Sequence, residues 1–129
     1  MTSDLWALVA TIGLAVAQLT ASSILTLRQV GGAWVAGPRD EPRDVTGVSG
    51  RIVRAHRNLL EIFPQFVGAL FVVHAAGAEG GCAVFGAWLF FLARVLYVPA
   101  YAVGPPGVRP LCWTAAQIGV FVILGDLIV

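Results

Sequence analysis

The sequence predicts an all-α integral membrane protein, a single-domain bundle of four transmembrane helices running up and down. Three observations carry this prediction. Of 129 residues, 58% are hydrophobic and only 12% charged, with mean hydropathy +0.85, whereas a soluble domain carries roughly 45–50% apolar and about 25% charged residues. The charges are segregated, leaving four apolar runs each near the length of about 20 residues that crosses a bilayer as a helix. Strand-like alternation is absent, and only helices and closed barrels satisfy their backbone groups in lipid.

The elements follow in order. Leu5–Leu27 is uncharged. It is too long for the core of a signal peptide and has only Asp4 before it, so it reads as a first span over about residues 5–27. Arg28 to Gly50 is a long polar connection containing the turn-forming stretch Gly37-Pro38-Arg39-Asp40-Glu41-Pro42-Arg43-Asp44. The second span covers about 50–76, and Pro64 within it is expected to kink the helix. A tight turn over Gly77–Gly81 leads to a third span at about 82–103, in which Arg94 is the single charge. The rigid Gly104-Pro105-Pro106-Gly107 turn then opens a fourth span over about 109–129. Gly13, Ala17 and Ala21, four residues apart, are expected to let a neighbouring helix approach the first span closely. Cys82 and Cys112 fall near opposite membrane faces, too far apart for a disulfide.

All eight basic residues are arginines, and six of them lie at or beside the first connection. The positive-inside rule therefore places connections one and three in the cytoplasm and both termini on the other side. The net charge of +1 gives no reason to expect a nucleic-acid partner, and no metal-ligand spacing is present.

The second span carries the chemistry. At about 100° per residue, Arg51, Arg54, Arg57, Asn58, Glu61 and Gln65 share an arc of about 120°, with His56 on the far side. Arginines at a helix end often only snorkel to the interface. That does not explain Asn58, Glu61 and Gln65, which continue the same face into the apolar zone. An intramembrane carboxylate is costly unless paired, so Glu61 is expected to meet an arginine: Arg54 or Arg57 of its own helix, or one from a neighbour. On the third span Arg94, Tyr97 and Tyr101 share a face, and Arg109 and Trp113 open the fourth at the same level. The tyrosines are expected to face the same cleft as Arg54. Three helices thus present a cationic, hydrogen-bonding site with one carboxylate. Guanidinium groups bind carboxylates through paired donors. A ligand with two carboxylates, an amine and a thiol, as in glutathione, fits this inventory, and on charge alone so does a phospholipid headgroup. A four-span cation exporter needs a lone membrane carboxylate, which the surrounding arginines contradict.

The stretch Arg54-Ala-His-Arg57-Asn58-Leu-Leu-Glu61-Ile-Phe-Pro64 resembles the signature of the MAPEG family, the membrane-associated proteins of eicosanoid and glutathione metabolism. Arg94, Tyr97, Tyr101 and Arg109 resemble the pattern on that family's third and fourth helices. The resemblance implies a homotrimer of four-helix subunits in the bilayer, with glutathione bound between neighbours near the cytoplasmic side. By position it assigns Arg51, Arg54, Arg57, Asn58, Glu61, Tyr97, Tyr101 and, through a looser alignment, Arg28 to glutathione binding. Arg109 matches the arginine that stabilises the thiolate. The implied activity resembles that of a microsomal glutathione transferase, conjugating glutathione to lipophilic electrophiles in detoxification, with peroxidase activity as an addition. The alternative is a non-catalytic member that binds lipid or fatty acid. Gly50, where some members carry Glu, and Pro110, where one carries Ser, depart from the pattern and leave the electrophile open.

Overall fold

A computed structural model describes residues 1–129. It contains helices α1 (Ser3–Val30), α2 (Gly32–Ala36), α3 (Gly47–Ala75), α4 (Gly81–Val103) and α5 (Val108–Gly125), and no strand. All but α2 are long and apolar enough to cross a membrane, and they form the all-α four-span bundle expected from the sequence. The ends of the spans fall within three residues of those expected except at the last, and two features differ from expectation. The first connection contains the five-residue helix α2, too short to show a hydrophobic period. The last helix ends at Gly125 rather than 129, because Asp126 turns away to serve another helix.

The core lies where α3, α4 and α5 meet. Leu59, Ile62, Phe66, Leu70 and Val73 of α3 recur three or four residues apart and are buried, as one helical face requires. Phe66 stacks on Phe90 of α4 with ring centroids 4.1 Å apart. The closest helix pair is α4 with α5. A methyl placed at Gly86 would fall 2.5 Å from the Gly119 carbonyl oxygen, and one at Gly119 would fall 2.7 Å from the Gly86 carbonyl oxygen. Two facing glycines let the backbones touch, as packing in lipid favours.

Helix α1 packs on α3 and α4 and has no contact with α5. Its inward face is Asp4, Ala7, Thr11, Gln18 and Ser22. Within the subunit no helix packs on the Gly13 and Ala17 part of the small-residue stripe. Gly13 and Ala17 are exposed, and nothing lies within 4 Å of a methyl built at Gly13. Such a stripe permits close approach without choosing which helix approaches.

The two ends of the bundle are held differently. At the end bearing the termini, His74 and Asp4 join α3 to α1 through a 2.6 Å contact. There the Asp126 carboxylate accepts the backbone N–H groups of Gly80 (2.9 Å), Cys82 (3.2 Å) and Ala83 (2.6 Å). It thus caps α4, whose own first residues offer no capping side chain. These bonds, led by that from Ala83, hold the Asp126 carboxyl below the usual carboxylate range.

At the opposite, basic end, the first connection is a folded strap. Arg43 donates to the Val30 carbonyl (3.1 Å) and Arg39 to the Val35 carbonyl (3.1 and 2.9 Å), each closing the end of a helix. Gln29 exchanges two bonds with the Thr46 backbone. The strap also explains Gly50, where any side chain would collide with the Val45 carbonyl oxygen.

Candidate functional site

The arc read from α3 is real, and it faces outward. Arg54, Arg57, Glu61 and Gln65 are exposed, while His56 is buried on the opposite side against the bundle. Beside this face, at the basic end, α4 contributes Tyr97 and Tyr101, and the first turn of α5 contributes Arg109. Arg54, Arg57, Asn58, Glu61, Tyr97, Tyr101 and Arg109 together line one open cleft of about 230 Å³. A neighbouring cavity of about 440 Å³ is bounded by Asn58, Tyr97, Arg109, Pro110, Trp113 and Thr114. Both tyrosines therefore face the cleft that holds Arg54.

Two chains of contacts organise the cleft. In the first, the Tyr101 hydroxyl accepts from Arg54 Nε at 3.1 Å, while the Arg109 guanidinium lies 4.7 Å from the same ring's centroid. Cations are drawn to an aromatic face within about 6 Å of its centroid, so Tyr101 ties a guanidinium of α3 to one of α5. In the second, the wholly buried Arg94 sits 3.9 Å from the Tyr97 ring centroid and donates through Nη1 to Asn58 Oδ1 at 3.1 Å. Asn58 Nδ2 in turn donates to Glu61 Oε2 at 3.2 Å. Arg94 Nε and Nη2 are buried with no partner.

Arg94 is the residue that sequence reasoning placed on the right stripe without giving it a role at the site. Its signal was visible: a lone charge in the middle of an otherwise apolar span needs a reason to be there. Within the chain, Glu61 departs from expectation. It forms no ion pair with Arg54 or Arg57, since His74–Asp4 is the one salt bridge present. Arg54 is turned to Tyr101 instead, and Asn58 supplies the donor to the carboxylate. Arg28, exposed at the end of α1, and Arg51, partly buried with its Nε unpartnered, do not line the cleft. Deeper on the same outward face, Gln65 accepts from Gln117 of α5 at 3.1 Å.

The arrangement carries an excess of positive charge, which suits it to an anion. Three guanidinium groups reach the cleft against one carboxylate, and a fourth orients the amide between them. Both cysteines are free thiols and neither lines it, and no group of three or more His, Cys, Asp and Glu side chains converges anywhere in the chain.

No curated protein matches the sequence. The model of the MAPEG family matches residues 5–129, which takes in all four spans and every residue of the cleft. The chain belongs to the MAPEG family.

Proposed function

We propose that this protein is a membrane-bound glutathione transferase of the microsomal type, which conjugates the glutathione thiolate to lipophilic electrophiles. The observation that supports this best is the convergence of Arg54, Arg57, Asn58, Glu61, Tyr101 and Arg109 on one cleft beside four membrane spans. In this reading Arg54 and Arg57 take the carboxylates of the tripeptide and Glu61 accepts its ammonium. Arg109, over the Tyr101 ring, favours the thiolate over the thiol. The adjoining cavity beside Trp113 and Pro110 receives the apolar electrophile from the lipid side. The same geometry suits reduction of lipid hydroperoxides by the bound thiolate as a second activity.

The active form in this reading is a homotrimer. Glu61 and Gln65 stand exposed on the side of a membrane bundle, where an uncovered polar group costs several kcal/mol in hydrocarbon-like surroundings. A neighbouring copy covers them, completes the pairing of Glu61 and brings Arg28 or Arg51 toward the ligand. The basic end faces the cytoplasm and the termini face away from it, following the arginine distribution.

The reading is tested by equilibrium binding of glutathione to detergent-purified protein, followed by turnover with a chlorodinitrobenzene-type electrophile. Saturable binding with turnover is the expected result. Binding of fatty acid or phospholipid without turnover would favour the non-catalytic alternative, for which the cavity beside Trp113 speaks.

A further inference from the structure

A second cavity, larger than the cleft, lies under the strap of the first connection and adjoins the cleft through Arg54 and Arg57. It measures about 720 Å³, within the range of about 300–1,000 Å³ typical of small-molecule sites. Trp34, Arg39, Arg43, Asp44, Arg54 and Arg57 line it. Four guanidinium groups therefore face one carboxylate, and Asp44 forms no salt bridge with any of them. The lining thus carries an excess of three positive charges, with Asp40 and Glu41 beside Arg39 and Arg43 in an adjoining cavity.

The strap holds two of these arginines in place. Arg39 gives Nε and Nη2 to the Val35 carbonyl, and its guanidinium lies 5.4 Å from the centroid of the Trp34 ring. Arg43 gives Nη1 to the Val30 carbonyl. Each keeps further N–H donors free. Arg39 is also the one non-glycine residue with a left-handed backbone, at φ 60°, a conformation that needs its surroundings to hold it. Trp34 is pinned in turn by its indole N–H, which donates to the Glu41 carbonyl at 2.7 Å. Helix capping accounts for one part of each guanidinium. It does not account for four arginines lining one space whose own walls hold a single carboxylate.

We propose that the cavity under the strap is a phosphate-binding site for the headgroup of an anionic phospholipid or a soluble phosphate ester. Guanidinium forks match phosphate oxygens through paired donors. Basic pockets beside transmembrane helices receive anionic headgroups, and this one opens between the last turn of α1 and the first turns of α3, at the end of the spans. Arg54 and Arg57 line both this cavity and the cleft, so an anion here shares two guanidinium groups with the ligand proposed for the cleft. Phosphate binding itself does not depend on that proposal.

The experiment uses the full chain in phosphatidylcholine nanodiscs titrated with pyrophosphate. The variants are Arg39→Gln, Arg43→Gln and Asp44→Asn, none of which lies in the cleft. Saturable binding is expected, weakened on the order of tenfold by each arginine change and tightened by Asp44→Asn. Competition by phosphatidylglycerol added to the nanodiscs identifies the lipid headgroup as the source. Pyrophosphate binding without such competition identifies a soluble phosphate ester. Absence of saturable binding overturns the site, and so does binding that neither arginine change weakens. Because Arg39 and Arg43 also cap helices, Asp44→Asn carries the decision if those variants fail to fold: unchanged or weaker binding then counts against the site.

Discussion

Arg94 and Asn58 meet inside the bundle, with Arg94 Nη1 donating to Asn58 Oδ1 at 3.1 Å. This contact fixes which way the Asn58 amide points, since its oxygen is claimed and its nitrogen is left to serve Glu61. In the proposed reading Arg94 is thus a positioning residue. A buried guanidinium with two unpartnered nitrogens is expensive, and replacement by an apolar side chain of similar length removes that cost. Arg94→Met should leave thermal stability in detergent unchanged or raised. It should also weaken glutathione binding roughly tenfold through the freed amide, a loss of about 1.4 kcal/mol. A variant that loses stability and keeps affinity would make Arg94 purely structural.

The two tyrosines should separate on losing their hydroxyls. Tyr101 accepts a charge-assisted bond from Arg54, so Tyr101→Phe should cost about 1.5–3 kcal/mol in glutathione affinity by releasing that guanidinium. In Tyr97→Phe the ring that carries Arg94 remains, and the loss should be smaller. Titration calorimetry of both variants reads the difference, and equal losses would contradict this division.

Arg109 offers a kinetic test of the proposed chemistry. A thiol of ordinary pKa near 8.5 is only a few per cent ionised at pH ~7. An arginine that stabilises the thiolate therefore acts on turnover more than on affinity. Arg109→Leu should lower kcat by at least about tenfold while changing the glutathione Kd little. It should also erase the ultraviolet thiolate absorbance of the bound tripeptide at neutral pH. Wild-type absorbance in this variant would pass the role to Tyr101.

Acid should act on the opposite end of the bundle. The Asp126 carboxyl has a folded-state pKa below its ordinary 3.8, so its stabilising contribution is complete above that value and is lost as pH falls through the lower, folded value. Wild-type melting temperature should drop on acidification from pH ~5 to pH ~2 more steeply than that of Asp126→Ala. Parallel profiles would show that the cap contributes nothing.

The facing glycines give a packing test. Gly86→Leu drives a side chain into the α5 backbone and should cost at least the 1–3 kcal/mol typical of overpacking, read as a lower melting temperature. Gly13→Leu, at an open position of the same chain, should leave the folded subunit intact.

Much of this was legible in the sequence for one reason: helical geometry is regular. Four apolar runs gave four spans, and a 100° step put Asn58, Glu61 and the arginines on one face of α3. Periodicity could not say whether that face points into the bundle or out of it, because direction depends on how α3 packs against α1 and α4. Nor could it choose between Glu61 and Tyr101 as the partner of Arg54, which are both within reach of a flexible side chain. Helix α2 escaped notice because five residues hold no period. The strap over Gly50 escaped because its bonds join residues such as Gln29 and Thr46 that no local pattern links.

The Asp126 cap also bears on how the chain is assembled. The first turn of α4 is completed by a carboxylate 46 residues further along, on the far side of both α4 and α5. Until α5 has crossed the bilayer, those amide groups have no protein acceptor. Exit from the translocation machinery into lipid is therefore easier for α4 and α5 as a joined hairpin than for α4 alone. In a nascent chain stalled before residue 126, the first-turn amides of the third span would have only water as an acceptor.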